Sequence, residues 1–407
     1  MNARAFLSRE FLRVYGGQAR GLRFFFAPGR VNLIGEHTDY NGGHVLPVAI
    51  SLGIRAAVRL SGGRTMRFAS LDMPGSVSVD LDDNIPYDPK DGWANYPKGV
   101  VAHLRAAGYE LPGCDVLYWS DLPIGAGLSS SASLELLTAY LLVHLSCLLR
   151  GEPVPGEGIG TRDESVRIEL AKICQDAENE FVGVGCGLMD QFAVAMGRRD
   201  SALLLNCATM EYEYIPVALS DYRLVIMDTG KRRSLESSAF NQRREECERA
   251  LSCLRQRSEI ANLCSAKVEQ LDAIPDPILK RRAKHVVSEE ARTLEAARRL
   301  RRGDLRGFGE LMVESHDSLK LDYEVTGPEL DAIVEEALSL NCCIGARMTG
   351  AGFGGSAIAL VERVALTEFA ERVKRGYKAR TGMEASVYEC AVGDGARAGI
   401  PEVSLPG

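Results

Sequence analysis

The sequence reads as a mixed α/β or α+β chain folded in two halves, on three observations. Segments with apolar residues at three- and four-residue steps alternate with short apolar runs bounded by turn residues. The 407 residues suit two or three domains at about 150 residues each, long enough to bury sizeable cores without disulfide or metal staples. At 46% hydrophobic and 25% charged residues, the composition is that of an ordinary globular protein and excludes disordered, collagen-like and low-complexity classes.

Taken in order, residues 1–17 are interrupted by Arg4, Arg9, Glu10 and Arg13 and so lack the apolar core of a signal peptide. The Leu-rich stretch 134–149 has helical character but contains Glu135, Thr138, His144 and Ser146, and is expected to be too short and too polar to span a bilayer. Residues 150–161 hold two prolines and four glycines and read as a long surface loop. Val166, Leu170, Ile173, Ala177 and Phe181 then give an amphipathic helix with Asp163 near its start. Residues 202–206 and 222–227 read as strands, 234–254, 286–300 and 328–340 as helices, and 356–361 as a buried strand. A boundary at 210–220 divides the chain into residues 1–215 and 216–407. No repeat of 20–50 residues is apparent, which argues against a solenoid.

Charge and cysteine usage narrow the function classes. With 48 Lys+Arg against 55 Asp+Glu, a net charge of −7, a general nucleic-acid binder is not expected, because phosphate neutralisation needs a basic face. The basic residues between Lys280 and Arg306 are interleaved with Glu289, Glu290, Glu295 and Asp304 and read as solvated helix faces. The eleven scattered cysteines contain no CxxC pair that could begin a zinc site, and fit a reducing cytoplasm.

Three segments carry chemistry. Residues 27–43, APGRVNLIGEHTDYNGG, pack an Arg, a Glu, a His and an Asp into ten positions and end in an Asn-Gly turn. Such a set can ring a small polyhydroxylated ligand, whose hydroxyls donate to carboxylates; a polar turn with local ion pairs would use the same residues. Residues 121–135, DLPIGAGLSSSASLE, lead from a glycine-rich loop into the helix, where serines can cap and where free N–H groups and the helix dipole attract phosphate. The loop is not a Walker A motif, since no Gly-Lys-Ser/Thr follows. Residues 347–356, RMTGAGFGGS, satisfy G-x-G-x-x-G literally, but they lead into a strand rather than opening a helix, so a dinucleotide fingerprint is not expected. A smaller signal is Asp190 in the glycine-punctuated segment 183–191, where a carboxylate needs a partner to offset desolvation.

Together these segments resemble the signature motifs of the galactokinase, homoserine kinase, mevalonate kinase and phosphomevalonate kinase superfamily, and residues 29–43 are similar to the signature of the galactokinase family almost letter for letter. The likeness continues through His44–Ile50, Trp93–Tyr96, Gly125–Glu135, Cys186–Gln191 and Arg347–Gly355, from about residue 20 to 390. The resemblance implies an α+β fold of two lobes with the active site between them, and ATP-dependent transfer of a phosphoryl group to the anomeric hydroxyl of a galactose-like sugar. It implies Asp190 as the catalytic carboxylate, kept ionised by Arg30. Glu36, His37, Thr38, Asp39 and Gly187 would hold the sugar, with Phe240 beside them. Gly125, Ala126, Gly127, Leu128, Ser129, Ser130 and Ser131 would wrap the triphosphate of ATP. Ser131 and Glu178 would hold Mg²⁺, and Ser70 and Trp93 would lie near the nucleotide.

One position departs from the family, which usually has a tyrosine where Phe240 stands. The ring is kept and a hydroxyl lost, which loosens the specification of one sugar hydroxyl. Galacturonate, arabinose or N-acetylgalactosamine are therefore the alternative sugars. A silent sugar and ATP sensor of the same fold is a further alternative, although such sensors lack the Ser-Ala pair found here as Ser131-Ala132. The expected partners are a small-molecule sugar and ATP, with no nucleic acid, membrane or obligate protein partner.

Overall fold

The computed structural model describes residues 2–123, 125–153, 161–231 and 236–401. Residues 154–160 of the expected surface loop and 234–235 of the expected helix lie outside that set. The first half of the chain runs α1 (Ala3–Tyr15), β1 (Arg23–Asn32), β2 (His44–Val45), β3 (Pro47–Leu60), β4 (Thr65–Ser70), β5 (Ser76–Asp80), α2 (Asn95–Ala106), β6 (Cys114–Ser120), α3 (Ser130–Arg150), α4 (Thr161–Asp176) and α5 (Met189–Met196). It continues through β7 (Ser201–Asn206), β8 (Tyr212–Pro216), β9 (Tyr222–Asp228), α6 (Glu236–Arg255), α7 (Pro277–Arg301) and α8 (Leu305–Ser318). The last elements are α9 (Gly327–Leu338), β10 (Cys343–Met348), β11 (Ser356–Glu362), α10 (Leu366–Thr381), β12 (Ser386–Cys390) and β13 (Arg397–Ala398).

The strands form a six-stranded sheet in the order β13-β1-β3-β6-β4-β5, a four-stranded sheet β10-β11-β9-β12 and a three-stranded sheet β2-β7-β8. Among the described residues all strand pairs are antiparallel except β4 with β6. The four-stranded sheet is apolar on both faces, and its period of two divides it between two cores. Leu224, Ile226, Ile358 and Leu360 join the core built on β1, β3 and α3. Val225, Met227, Ala357, Ala359 and Val361 face the core of α7, α9 and α10. After β12 the chain returns to the first sheet: Gly393 N donates to Ala49 O (2.9 Å), and β13 pairs with Phe25 and Phe26 of β1.

Several expectations change in the structure. α3 spans 21 residues and is long and apolar enough by composition to cross a membrane, unlike the shorter stretch read from the sequence. It is instead the central helix of the larger core, with 89% of its most apolar window buried. α7 starts nine residues before the expected 286, with Pro277 in its first turn and Asp276 accepting from the N–H groups of Ile278 and Leu279. The basic stretch is not uniformly solvated. Arg282 is 2% exposed and bonds Glu246 (2.8 Å) and Glu324 (2.6 Å), while Arg298, Arg299 and Arg301 do form surface ion pairs. All eleven cysteines are free thiols, and among the described residues no group of His, Cys, Asp and Glu forms a ready metal cluster.

Candidate active site

The centre of the site is an ion pair between residues 160 positions apart. β1 carries a register shift between Pro28 and Arg30, the kind of irregularity that re-aims a side chain. Arg30 is there 5% exposed. Its Nε donates to Asp190 Oδ1 (2.7 Å) and its Nη2 to Oδ2 (2.6 Å), a bidentate fork. Its third arm, Nη1, donates to Gly127 O (2.8 Å). Asp190 opens α5, in the first turn, where a negative charge suits the helix dipole.

The loop before α3 is shaped by Gly125 and Gly127, at φ of 78° and 74°, conformations in which glycine carries no Cβ penalty. Ser129 also sits in the left-handed region, at φ 60° and ψ 47°. Contrary to expectation it does not cap α3. Its hydroxyl donates to Asp190 Oδ2 (2.6 Å), and the helix start has no side-chain cap, which leaves its N–H groups available to an anion. Ala126 and Leu128 are buried, and Ala126 O accepts from Ser356 Oγ (2.8 Å) at the end of the third glycine-rich segment. That segment links β10 to β11 as the loop of an antiparallel hairpin, so the failure of the Rossmann reading holds in the structure.

Two cavities meet at this loop. One of about 220 Å³ is lined by Ser70, Trp93, Tyr118, Ser130 and Leu134 among others. It is mainly apolar, and Trp93 is fixed in its wall by Nε1–H to Pro74 O (3.1 Å). The other, about 580 Å³, is lined by Arg30, Glu36, His37, Asp39, Glu178, Gly187, Asp190, Phe240 and Ala351 among others. Tyr96 and Ser131 line both. Of the expected nucleotide residues, Ser70, Trp93, Ser130 and Ser131 border the smaller cavity and Gly125–Ser129 border neither, while all the expected sugar residues but Thr38 border the larger one, and Ser131 stands where the two abut.

Within the larger cavity the residues of the first motif differ in role. Glu36 is 2% exposed and pairs with Arg347, while its Oε1 accepts from Gly350 N (3.0 Å), so it ties the motif to the hairpin loop. Asp39 packs against Gly187, where an added Cβ would lie 2.3 Å from Asp39 Oδ2; only glycine leaves that carboxylate its place. Burial, with the nearby charge of Asp190, raises the Asp39 carboxyl to about 6. Phe240 stands with its ring centroid 5.8 Å from that of His37 and 5.4 Å from that of Tyr40. Thr38 is not in the cavity wall. It is fully buried, and its hydroxyl lies 2.7 Å from both Gly35 O and His44 O, inside the turn.

Glu178 sits in the π-helical turn that continues α4 and is 5% exposed, not on the surface. Its carboxylate accepts from Gln191 Nε2 (2.7 Å), and Ser131 lines the same cavity wall. Burial, reinforced by Asp190, pushes its carboxyl up, a cost that a bound cation would offset. Two hard oxygen donors at the junction of the cavities fit a small divalent cation that keeps its remaining waters. Gln191 also donates to Glu135 Oε2 (3.2 Å); burial and the neighbouring Glu178 raise Glu135 to about 9.

Glu135, Gln191, Tyr323 and Arg347 are parts of the site that sequence reasoning left without a role. Glu135, Gln191 and Arg347 lie inside the motifs named above, so a polar or charged residue within a glycine-punctuated segment is the available signal. Tyr323 had none.

Comparison with known proteins agrees with this geometry. Residues 9–60 match the galactokinase galactose-binding signature, residues 95–198 the GHMP kinases N terminal domain and residues 294–379 the GHMP kinases C terminal model. The chain is 47% identical to a galactokinase of Clostridium tetani over 96% of both chains. It is 48% identical to one of Exiguobacterium sibiricum over 92% of this chain and 93% of that one. The crystal structure of Lactococcus lactis galactokinase complexed with galactose superposes with a TM-score of 0.88 at 40% identity, covering 97% of this chain and 99% of the other. The fold is shared more widely, with Methanococcus jannaschii mevalonate kinase at a TM-score of 0.63 and 20% identity, covering 92% of this chain and 99% of that one. A cavity with an Arg-Asp pair beside a glycine-rich loop is what the chain presents, and relatives this similar over nearly the whole length place it in the galactokinase family.

Proposed function

We propose that the chain transfers the γ-phosphoryl group of ATP to the anomeric hydroxyl of galactose, giving galactose 1-phosphate and ADP. The observation that carries this reading is Asp190, held by Arg30 and Ser129 where the larger cavity meets the phosphate loop. There the carboxylate accepts from the anomeric hydroxyl and orients its oxygen toward the phosphoryl group. Arg30 and the free N–H groups of α3 face the charge that develops on that group, and positioning with electrostatic stabilisation is most of what phosphoryl transfer requires. Asp39 and Glu36 accept from sugar hydroxyls, with His37, Phe240 and Gly187 shaping the cavity around them. The smaller cavity takes the adenine ring against Trp93.

Mg²⁺ would be held by Ser131 and Glu178, where it would neutralise phosphate charge. Residues 1–215 and 216–407 form the two lobes in this reading, with the return of residues 391–398 crossing between them. The free thiols fit a reducing cytoplasm.

The test is ADP release with Mg-ATP against galactose, glucose, galacturonate, arabinose and N-acetylgalactosamine, with Asp190→Ala as control. Galactose is expected to be preferred, and its turnover to vanish in the variant. Preference for another sugar overturns the substrate, and silence on all of them overturns the activity.

A further inference from the structure

His37 stands at φ 65° in a backbone region unusual for a non-glycine residue, and both of its ring nitrogens are engaged. Nε2 lies 3.2 Å from Ala351 O, in the loop of the glycine-rich hairpin. Nδ1 lies 2.8 Å from the Tyr40 hydroxyl. That hydroxyl lies 2.7 Å from the hydroxyl of Tyr323, which in turn lies 3.1 Å from Cys247 Sγ. A backbone carbonyl only accepts, so Nε2 carries a proton. Burial keeps the ring neutral, lowering its pKa to about 3. A neutral imidazole has one N–H, so Nδ1 is bare and accepts a hydrogen bond from the Tyr40 hydroxyl. With its one O–H committed to Nδ1, Tyr40 accepts from Tyr323, and Tyr323 in turn accepts from the Cys247 S–H. Every donor in the relay is thereby assigned, and all of them run one way, from Cys247 through Tyr323, Tyr40 and His37 to Ala351 O.

We propose that Tyr323, backed by Cys247, is a positioning residue for the sugar: acting through Tyr40, it fixes His37 as the Nε2–H tautomer and clamps the sugar loop onto the hairpin at Ala351. The helix α6 serves this arrangement twice. Phe240 and Cys247 are seven residues, or two turns, apart and so share a face. The first borders the cavity and the second begins the relay. The rings pack in the same order, with Tyr323 4.7 Å from His37 and 4.5 Å from His285, centroid to centroid. His285 Nε2 meets Glu36 O (3.1 Å), so the loop is also held from α7.

The kinetic part of the proposal rests on the galactose reading above; the tautomer part does not. The test is the ¹⁵N imidazole spectrum of histidine-labelled protein, with the His37 signals assigned by their loss in His37→Gln. The native protein is expected to show protonated Nε2 and bare, hydrogen-bonded Nδ1. Tyr323→Phe, which removes one hydroxyl and keeps the ring, is expected to move the Nδ1 signal and raise the galactose KM roughly two- to tenfold, with kcat and the ATP KM little changed. Tyr40→Phe probes the adjoining link if Tyr323→Phe does not fold. Cys247→Ser, which keeps a donor, is expected to rescue the galactose KM relative to Cys247→Ala. A protonated Nδ1 in the native protein overturns the proposal. So does a Tyr323→Phe variant whose Nδ1 signal is unmoved, whether or not its KM changes, because packing alone would then account for any effect. If galactose is not a substrate, the spectrum still decides the tautomer.

Discussion

Arg30→Lys keeps the positive charge and removes the geometry. The guanidinium makes three hydrogen bonds at once, two to the carboxylate of Asp190 and one to Gly127 O. The point charge of an ammonium cannot reproduce that planar fork, and it can hold one of these partners well. Hydrogen bonds to charged groups are worth about 1.5–3 kcal/mol each, so losing two gives a ceiling of about 3–6 kcal/mol. Only the part that strengthens as charge develops on the phosphoryl group lowers kcat. One preorganised donor in such a site supplies about 2.7–4 kcal/mol, or roughly 10²–10³ in rate. Arg30→Lys is therefore expected to lower kcat by about that factor in a coupled ADP-release assay at saturating ATP and galactose, with a smaller change in the galactose KM. A thermal melt alongside reads whether the buried side chain is still accommodated. A variant that melts normally and keeps kcat within about threefold of native would refute the reasoning, because the fork would then be structural only.

Phe240→Tyr restores a hydroxyl at the cavity wall, and one neutral hydrogen bond of about 0.5–1.5 kcal/mol should improve galactose over a pentose by roughly two- to tenfold in relative kcat/KM. Unchanged relative rates would show that Phe240 only packs. Asp39 predicts a pH dependence with opposite signs for stability and binding. Its folded pKa of about 6 lies above the usual aspartate value of 3.8, so the folded state retains its proton and this residue makes the fold less stable as pH rises from about 4 to 6. The ionised carboxylate is the better acceptor for sugar hydroxyls, so the galactose KM should climb as pH falls below about 6. That climb should be absent from Asp39→Asn, whose KM should be high throughout; an equal slope in both would assign it to another group.

Much of the site was legible because its demands are local. A loop that turns tightly into a helix needs glycines at positive φ, and Gly125 and Gly127 mark it. The clustering of Arg30, Glu36, His37 and Asp39 within ten residues likewise marks one loop. What stayed hidden depends on pairings across the fold. Ser129 has the sequence setting of a helix cap, and only the position of Asp190 diverts its hydroxyl. Tyr323 reaches the sugar loop from 283 residues away, with no pattern of its own to mark it. The first turns of α7 escaped the periodicity because buried Arg282 and His285 occupy core-facing positions that a hydrophobic count passes over. Thr38, read as a ligand from its place inside the motif, serves the turn that presents its neighbours.

The return of the chain to its first sheet has a consequence for biosynthesis. β1 is almost wholly buried along its length, and β13 covers its free edge at Phe25 and Phe26. Roughly 365 residues separate Asn32 from Arg397. At about 5–20 residues per second, a ribosome needs on the order of 20–75 s to deliver the covering strand. Throughout that interval an aromatic strand edge, Phe24-Phe25-Phe26, is presented without its partner, and such edges recruit other chains. Nascent protein should therefore be most vulnerable to aggregation, and most dependent on chaperones, before its last few dozen residues emerge. Slowing synthesis should lower the yield of folded enzyme without changing the stability of the molecules that finish.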